Sequence, residues 1–117
     1  MTTEGARATA LLLVMSRPVP GREQDYDEWY TDRHLGDVLN AAGFRAAQRF
    51  RFVPSKLSRD PAAPYLAIYE VDAADREAAE KLLIEAANTP AMPISDALQP
   101  GSITWWFESV SDRVGST

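Results

Sequence analysis

The residues best suited to chemistry lie around the only histidine of the chain, His34. An imidazole gains and loses a proton near neutral pH, so it can act as a general acid or base. Tyr30 precedes it by four residues and Asp37 follows it by three, which places all three on one face if the segment is helical. Asp37 could then orient one ring nitrogen, and Tyr30 could donate a hydrogen bond to a developing enolate. We predict that His34, Tyr30 and Asp37 are catalytic.

A structural interpretation of the same residues is also open. A lone histidine in an aromatic helix is often a packed residue, and Trp29 and Tyr30 are typical core aromatics. Asp37 could be an exposed carboxylate beside Gly36, which weakens the helix just past the histidine and could divide it in two.

The composition indicates one folded domain. With 117 residues, 45% of them hydrophobic and 25% charged, the chain fits a single domain over residues 8–110, with tails at 1–7 and 111–117. The 17 acidic against 12 basic residues give a net charge of −5, which argues against a nucleic-acid partner.

Several classes of site and location are excluded or disfavoured. The absence of cysteine excludes disulfides and thiol nucleophiles and is compatible with a cytoplasmic location. The apolar run at residues 8–15 is too short to span a bilayer and lacks a signal-peptide cleavage pattern, so we expect no membrane partner. One histidine with scattered carboxylates forms no recognisable metal site.

Hydrophobic periodicity predicts six elements in the order strand, helix, strand, strand, helix, strand, at residues 8–16, 22–42, 44–53, 65–71, 73–88 and 102–109. The second strand alternates, with Arg45, Arg49 and Arg51 on one side, which we interpret as a solvated or interfacial face. Asp72 could cap the second helix, whose inward stripe is predicted to be Ala78, Leu82, Leu83 and Ala86.

This order matches the ferredoxin-like βαββαβ sandwich of the α+β class, a four-stranded antiparallel sheet with two helices on one face. The first and third strands are central in that topology, as their apolarity requires. Both faces of the sheet carry bulky apolar residues, and Trp105 and Trp106 must point to opposite faces. Because two helices cover only one face, we predict a homodimer that packs sheet against sheet.

The segment DEWYTDRHLGDVL at residues 27–39 resembles the pattern of EthD-like members of the dimeric α+β barrel superfamily. The resemblance continues with AGF at 42–44, AQRF at 47–50 and YLAIYEV at 65–71, and covers most of residues 8–110. Relatives usually have proline where this chain has Gly36 and commonly also where it has Ala42, which implies a more flexible segment here. Neither change affects the matching histidine.

The resemblance implies a ligand cavity between the helices and the sheet of each subunit, with His34 facing it. The superfamily includes cofactor-free monooxygenases, cyclases, lactone isomerases, lyases and haem-degrading enzymes, so the fold does not choose a reaction. Haem-binding precedents would use His34 as the axial ligand, but no second haem signature is present and we expect no cofactor.

We therefore predict a cofactor-independent enzyme of the isomerase, cyclase or lyase type, in which His34 transfers a proton on a small hydrophobic carbonyl or aromatic compound. The alternatives are a non-catalytic dimeric ligand-binding or accessory protein of a catabolic or biosynthetic pathway, and a cofactor-free monooxygenase. The proline-rich stretch at residues 90–101 could be a pocket rim or a dimer brace. Predicted substrate contacts are Trp29, Arg33, Met92, Trp105 and Trp106. Of the two tryptophans of the last strand, only the one that faces the helices can line the cavity.

Overall fold

A computed structural model of the protein describes residues 8–116, so the tail predicted at residues 1–7 lies outside the described part. Four strands form one antiparallel sheet in the order β2-β3-β1-β4. Their bounds are Thr9–Ser16 for β1, Ala46–Arg51 for β2, Tyr65–Asp72 for β3 and Ile103–Glu108 for β4. The predicted ferredoxin-like topology is confirmed, with β1 and β3 at the centre and β2 at an edge.

The first helical region is continuous but not uniform. It begins as the α-helix α1 at Glu23–Trp29, continues as a π-helical turn at Tyr30–His34 and ends as the α-helix α2 at Leu35–Ala42. Gly36 lies inside α2 and does not divide it, so the departure from α-helical geometry precedes the residue expected to cause it. Gly43, with φ +72°, ends α2 in the left-handed conformation that glycine adopts without strain.

A second helix, α3, spans Arg76–Ala86 after a 3₁₀ turn at Ala73–Asp75. The prediction of its inward-facing residues is wrong at two positions. Ala78 and Leu82 are exposed, and Ala79 is buried instead. Leu83 and Ala86 do pack against the core. The 3₁₀ turn is more tightly wound than an α-helix and so changes the phase at which the following residues face inward.

The predicted cap of this second helix is also different. Asp72 precedes the 3₁₀ turn, but its side chain makes no capping hydrogen bond there. Its carboxylate instead accepts a hydrogen bond from the Arg45 guanidinium.

The two faces of the sheet differ in burial. Alternate residues of the central strands are fully buried beneath the helices, among them Ala10, Leu12, Ala67 and Tyr69. Their neighbours, such as Leu13 and Ile68, are paired in register on the opposite face and are only partly buried. The helices therefore cover one face of the sheet and leave the other without cover from residues 8–116.

Beyond the sheet, residues 109–116 contain neither helix nor strand and are exposed. Among the described residues, no helix is long and apolar enough to cross a membrane.

Candidate functional site

The π-helical turn at Tyr30–His34 sets the geometry of the candidate site. The amide of Leu35 donates to the carbonyl of Tyr30, five residues earlier, where an α-helix would bond four residues back. In an α-helix, residues five apart point about 140° away from each other. A π turn is wider than an α-helical turn, so residues five apart lie nearly above one another along the helix. Single π turns within α-helices occur frequently at functional sites.

His34 lies inside the molecule as a consequence of this turn. Its ring stacks on the Trp29 ring, five residues earlier, with centroids 4.4 Å apart and planes inclined by 23°. The Tyr30 ring meets it edge to face at 4.9 Å. The residue is only 9% exposed, and within residues 8–116 its buried Nδ1 has no hydrogen-bond partner. The structure thus brings His34 and Tyr30 into contact, as their spacing predicts.

Burial controls the protonation of this histidine. Loss of hydration lowers the pKa of His34 from its ordinary 6.5 to about 4, and the nearby negative charge of Asp37 opposes that shift only weakly. The imidazole is therefore neutral at physiological pH. It can accept a proton, but its imidazolium form is disfavoured.

Asp37 does not make the predicted hydrogen bond to His34 in the described part of the chain. Its carboxylate accepts instead from Nε of Arg33 at 3.1 Å, one helical turn earlier. The exposed Arg33 side chain also has Nη2 3.5 Å from the Pro90 carbonyl. Asp37 therefore acts on His34 through its charge alone, and Arg33 lies on the outer surface of the helix rather than beside the ring.

Trp29 connects the helix to the segment between α3 and β4. Its indole Nε1 donates to the Pro93 carbonyl at 3.3 Å. The adjacent Met92 is 4% exposed and belongs to the hydrophobic core. The segment thus packs against the helix at Trp29, and Met92 is a buried packing residue.

Tyr30 is buried among other tyrosines. Its hydroxyl is 3.4 Å from the Tyr69 hydroxyl, which is long for a hydrogen bond between hydroxyls. Burial raises the pKa of Tyr30 to about 12, and it raises the pKa of Tyr69 further. Both phenols keep their protons at neutral pH, so Tyr30 can act as a hydrogen-bond donor.

The two adjacent tryptophans are separated by the sheet. Trp105 points away from the helices, is 49% exposed and contacts Phe107. Trp106 faces the helices but lies at the β4 edge, against Phe44 and beneath the guanidinium of Arg76. Trp105 is therefore on the wrong face to line a cavity containing His34, and the contacts of Trp106 lie elsewhere in the core.

Arg49 is the residue that the sequence interpretation misplaced. It was assigned to a solvated or interfacial side of β2 together with Arg45 and Arg51. Instead its side chain is 12% exposed and lies under the first helix, with its guanidinium carbon 4.7 Å from the centroid of the Tyr30 ring. A cluster of tyrosine rings can bury a cation in this way. No residue of β2 signals this inward placement in the sequence, since the two sides of the strand each carry an alanine, Ala46 and Ala47.

Three of the surface clefts formed by residues 8–116 lie around this part of the molecule. One of about 260 Å³ is lined by Asp27, Arg49, Phe50, Arg51 and Tyr65. A second of about 520 Å³ shares Tyr65 and is otherwise lined by Arg17, Pro18, Pro20, Glu23, Pro64 and Gln99. A third of about 140 Å³ lies on the opposite face, along β2 and β3. None of the three includes His34.

Metal ligands are not grouped in the described residues, which contain no cluster of three or more His, Cys, Asp or Glu side chains able to hold an ion.

Solved structures share this arrangement of elements. An EthD-like protein from Ralstonia eutropha superposes with a TM-score of 0.60 at 15% identity, covering 92% of this chain and 96% of the other. The chain has the fold of EthD-like proteins. A protein of unknown function from Nitrosomonas europaea gives 0.53 at 14% identity, covering 96% and 98%. An ethyl tert-butyl ether D (EthD) family protein from Bacillus halodurans gives 0.48 at 16% identity, covering 88% and 99%.

No protein-family model matches the chain, and no curated protein matches it significantly.

Proposed function

We propose that the protein binds a small, mainly apolar carbonyl or aromatic compound between its helices and its sheet, and that His34 moves a proton on that compound without a cofactor. The observation that carries this proposal is the buried Nδ1 of His34, which has no hydrogen-bond partner among residues 8–116. Buried polar atoms are nearly always paired, so an unpaired one needs an explanation. A polar group of a bound substrate would supply the missing partner.

The protonation states of the site fit one direction of transfer. Burial lowers the pKa of His34, so a ring nitrogen keeps its lone pair at physiological pH. That nitrogen would accept a proton from an acidic carbon, and the negative enolate formed beside it would stabilise the imidazolium that burial disfavours. Tyr30, in contact with the ring, keeps its proton and would donate a hydrogen bond to the resulting enolate oxygen. Isomerisation, cyclisation and elimination can all begin with such a step.

The test is exchange of carbon-bound hydrogen for deuterium in D₂O, followed by ¹H NMR on a panel of small cyclic ketones and 1,3-dicarbonyl compounds. We expect the wild-type protein to accelerate exchange on at least one of them. His34→Phe keeps an aromatic ring against Trp29 but removes the base, and should lower the rate about 10²- to 10⁴-fold.

Glu28→Gln is the matched control, because Glu28 is exposed on the same helical region and, within residues 8–116, accepts a hydrogen bond from Gln24 alone. This variant should exchange at the wild-type rate. Wild-type exchange by His34→Phe on a compound that the protein accelerates would remove the role of His34.

A second candidate is a non-catalytic ligand-binding or accessory protein. It is favoured by the packing of the His34 ring against Trp29 and Tyr30 and by its absence from the lining of the three clefts. Native mass spectrometry of protein purified from its own cells distinguishes the two. A retained small molecule that the protein does not convert, together with no exchange on the panel, would support this second function.

We also propose that the protein is a homodimer formed through the uncovered sheet face. Central apolar residues of that face, such as Leu13 and Ile68, are only partly buried, and two edge-strand aromatics, Trp105 and Phe107, are 49% and 52% exposed. A continuous apolar surface of this kind is unusual on a monomer. A second copy is the economical cover, because a two-fold axis pairs the same surface with itself.

A further inference from the structure

Arg49 carries a buried positive charge in an aromatic setting. Its guanidinium carbon lies 4.7 Å from the ring centroid of Tyr30 and 5.4 Å from those of Tyr26 and Tyr65. Cation–π contacts of this length stabilise the charge, but three neutral rings do not neutralise it. A guanidinium in this position needs an anionic partner, and the carboxylate of Asp27 supplies one at 2.7 Å.

The hydrogen bonds of Arg49 use only one side of its planar fork. Nη1 donates to Oδ1 of Asp27 at 2.7 Å and to Oγ1 of Thr31 at 2.6 Å, and lies 3.4 Å from the Asp27 carbonyl. Nη2 is buried and has no acceptor within residues 8–116. The two NH₂ groups of a guanidinium match the two oxygens of a carboxylate, so the unpaired Nη2 could donate to an oxyanion.

The surrounding cleft has the charge and shape for such a ligand. It holds about 260 Å³ and is lined by two arginines, Arg49 and Arg51, against one carboxylate, Asp27. This excess of positive charge lies in a chain whose net charge is −5. Phe50 and Tyr65 add aromatic surface. A volume below that of sites for drug-sized molecules suits a ligand of about one ring.

We propose that this cleft binds the carboxylate of a small organic acid, most simply an aromatic one. The ligand carboxylate displaces Asp27, whose side chain is 61% exposed and so gives way easily. Because Nη2 is closed to solvent, a side chain of the cleft lining has to move before the second oxygen can reach it. Arg51 contributes its charge at the mouth.

The carboxylate site would narrow the substrate class of the proposed function. That the bound acid is a substrate, and not merely a ligand, rests on the proposed function. Tyr30 links the two places, since its ring lies under the Arg49 guanidinium and also contacts the His34 ring. An acid held by Arg49 would thus be anchored one tyrosine away from the base. The proposed substrate class then narrows to carboxylic acids that also contain an acidic carbon or a carbonyl group.

The test compares benzoate with benzamide, which has the same shape without the charge, by isothermal titration calorimetry and by ¹⁵N NMR of the arginine Nε–H groups. We expect benzoate to bind, to shift the Arg49 signal and to bind at least about tenfold more tightly than benzamide. Asp27→Asn removes the competing carboxylate and should tighten benzoate binding several-fold.

Controls separate this cleft from general attraction between charges. Arg51→Gln should weaken benzoate binding, whereas Arg45→Gln, a neighbour engaged with Glu70 outside the cleft, should not change it. Arg49→Met should abolish binding. If that variant does not fold, the Asp27 and Arg51 variants decide the question in its place.

Equal binding of the two probes, or benzoate affinity unchanged in both Asp27→Asn and Arg51→Gln, would overturn the proposal. Benzoate binding is measured without turnover. If benzoate does not bind, the result of the His34 exchange assay still stands. If that assay shows no exchange, benzoate binding still tests the carboxylate site.

Discussion

At the scale of single residues, a neutral imidazole is held largely out of water. His34 contacts the two aromatic rings of Trp29 and Tyr30 and has no hydrogen bond at Nδ1 within the described residues. The nearest counter-charge, Asp37, is engaged by Arg33. Protonation of the ring in the folded state is therefore opposed by burial and only weakly assisted by charge.

We expect folding stability to fall with decreasing pH because of this residue. In the unfolded chain His34 has its ordinary pKa of 6.5, whereas in the folded protein its pKa is about 4. Below the unfolded value the unfolded state binds the proton and the native state does not, so stability present above pH 6.5 is lost as pH falls toward 4. The free energy of unfolding should drop by about 2 kcal/mol between pH 7 and pH 5.

Urea denaturation at fixed protein concentration measures this dependence. His34→Phe is the control, and its stability should change much less over the same interval, since it lacks the titrating ring. Parallel pH curves for the wild type and this variant would show that His34 keeps an ordinary pKa in the folded protein.

At the scale of elements, the π-helical turn is the local feature on which the site depends. It brings Trp29 and His34 face to face although they are five residues apart. Gly36 follows the turn inside α2, where its position is exposed and a Cβ atom would meet nothing within 4 Å. The glycine is therefore not required there by close packing.

Gly36→Ala should stabilise the protein by about 0.5–1 kcal/mol, because alanine costs less backbone entropy in a helix. Gly43→Ala is the contrasting variant and should destabilise it by about 1 kcal/mol, because Gly43 has φ +72°. Thermal unfolding followed by circular dichroism compares the two. A destabilised Gly36→Ala would show that flexibility or an unusual conformation is needed directly after the π turn.

At the scale of the whole molecule, two helices cover one face of a four-stranded sheet and the opposite face presents apolar side chains. Ile68 lies near the middle of that face, paired with Leu13 on the neighbouring central strand. A charge placed there would have to be desolvated in any sheet-to-sheet association.

Ile68→Glu should convert a dimer to a monomer, as measured by light scattering after size-exclusion chromatography. Leu57→Glu is the matched control, since Leu57 is 99% exposed in the segment between β2 and β3, and should leave the dimer intact. A wild-type protein that is monomeric at micromolar concentration would contradict the proposed association.

Local sequence patterns were enough to predict the four strands, the two helical regions, their order and the contact between Tyr30 and His34. These follow from local periodicity: continuous apolar character marked β1 and β3 as central, and four-residue spacing placed Tyr30 beside the histidine. The π turn could not be anticipated in this way, because i, i+4 spacing assumes a uniform α-helix.

Which side of each strand lies beneath the helices depends on contacts between segments that are distant in the sequence. Alternation in β2 separates Arg49 from Phe50 but does not say which is inside, and hydrophobicity alone favours the phenylalanine. The observed answer is the reverse: Arg49 lies beneath the helix and Phe50 is 41% exposed. Tyrosines distant in sequence, Tyr30 and Tyr65, make that burial favourable, and a pairing among three separate segments leaves no periodic trace in any one of them.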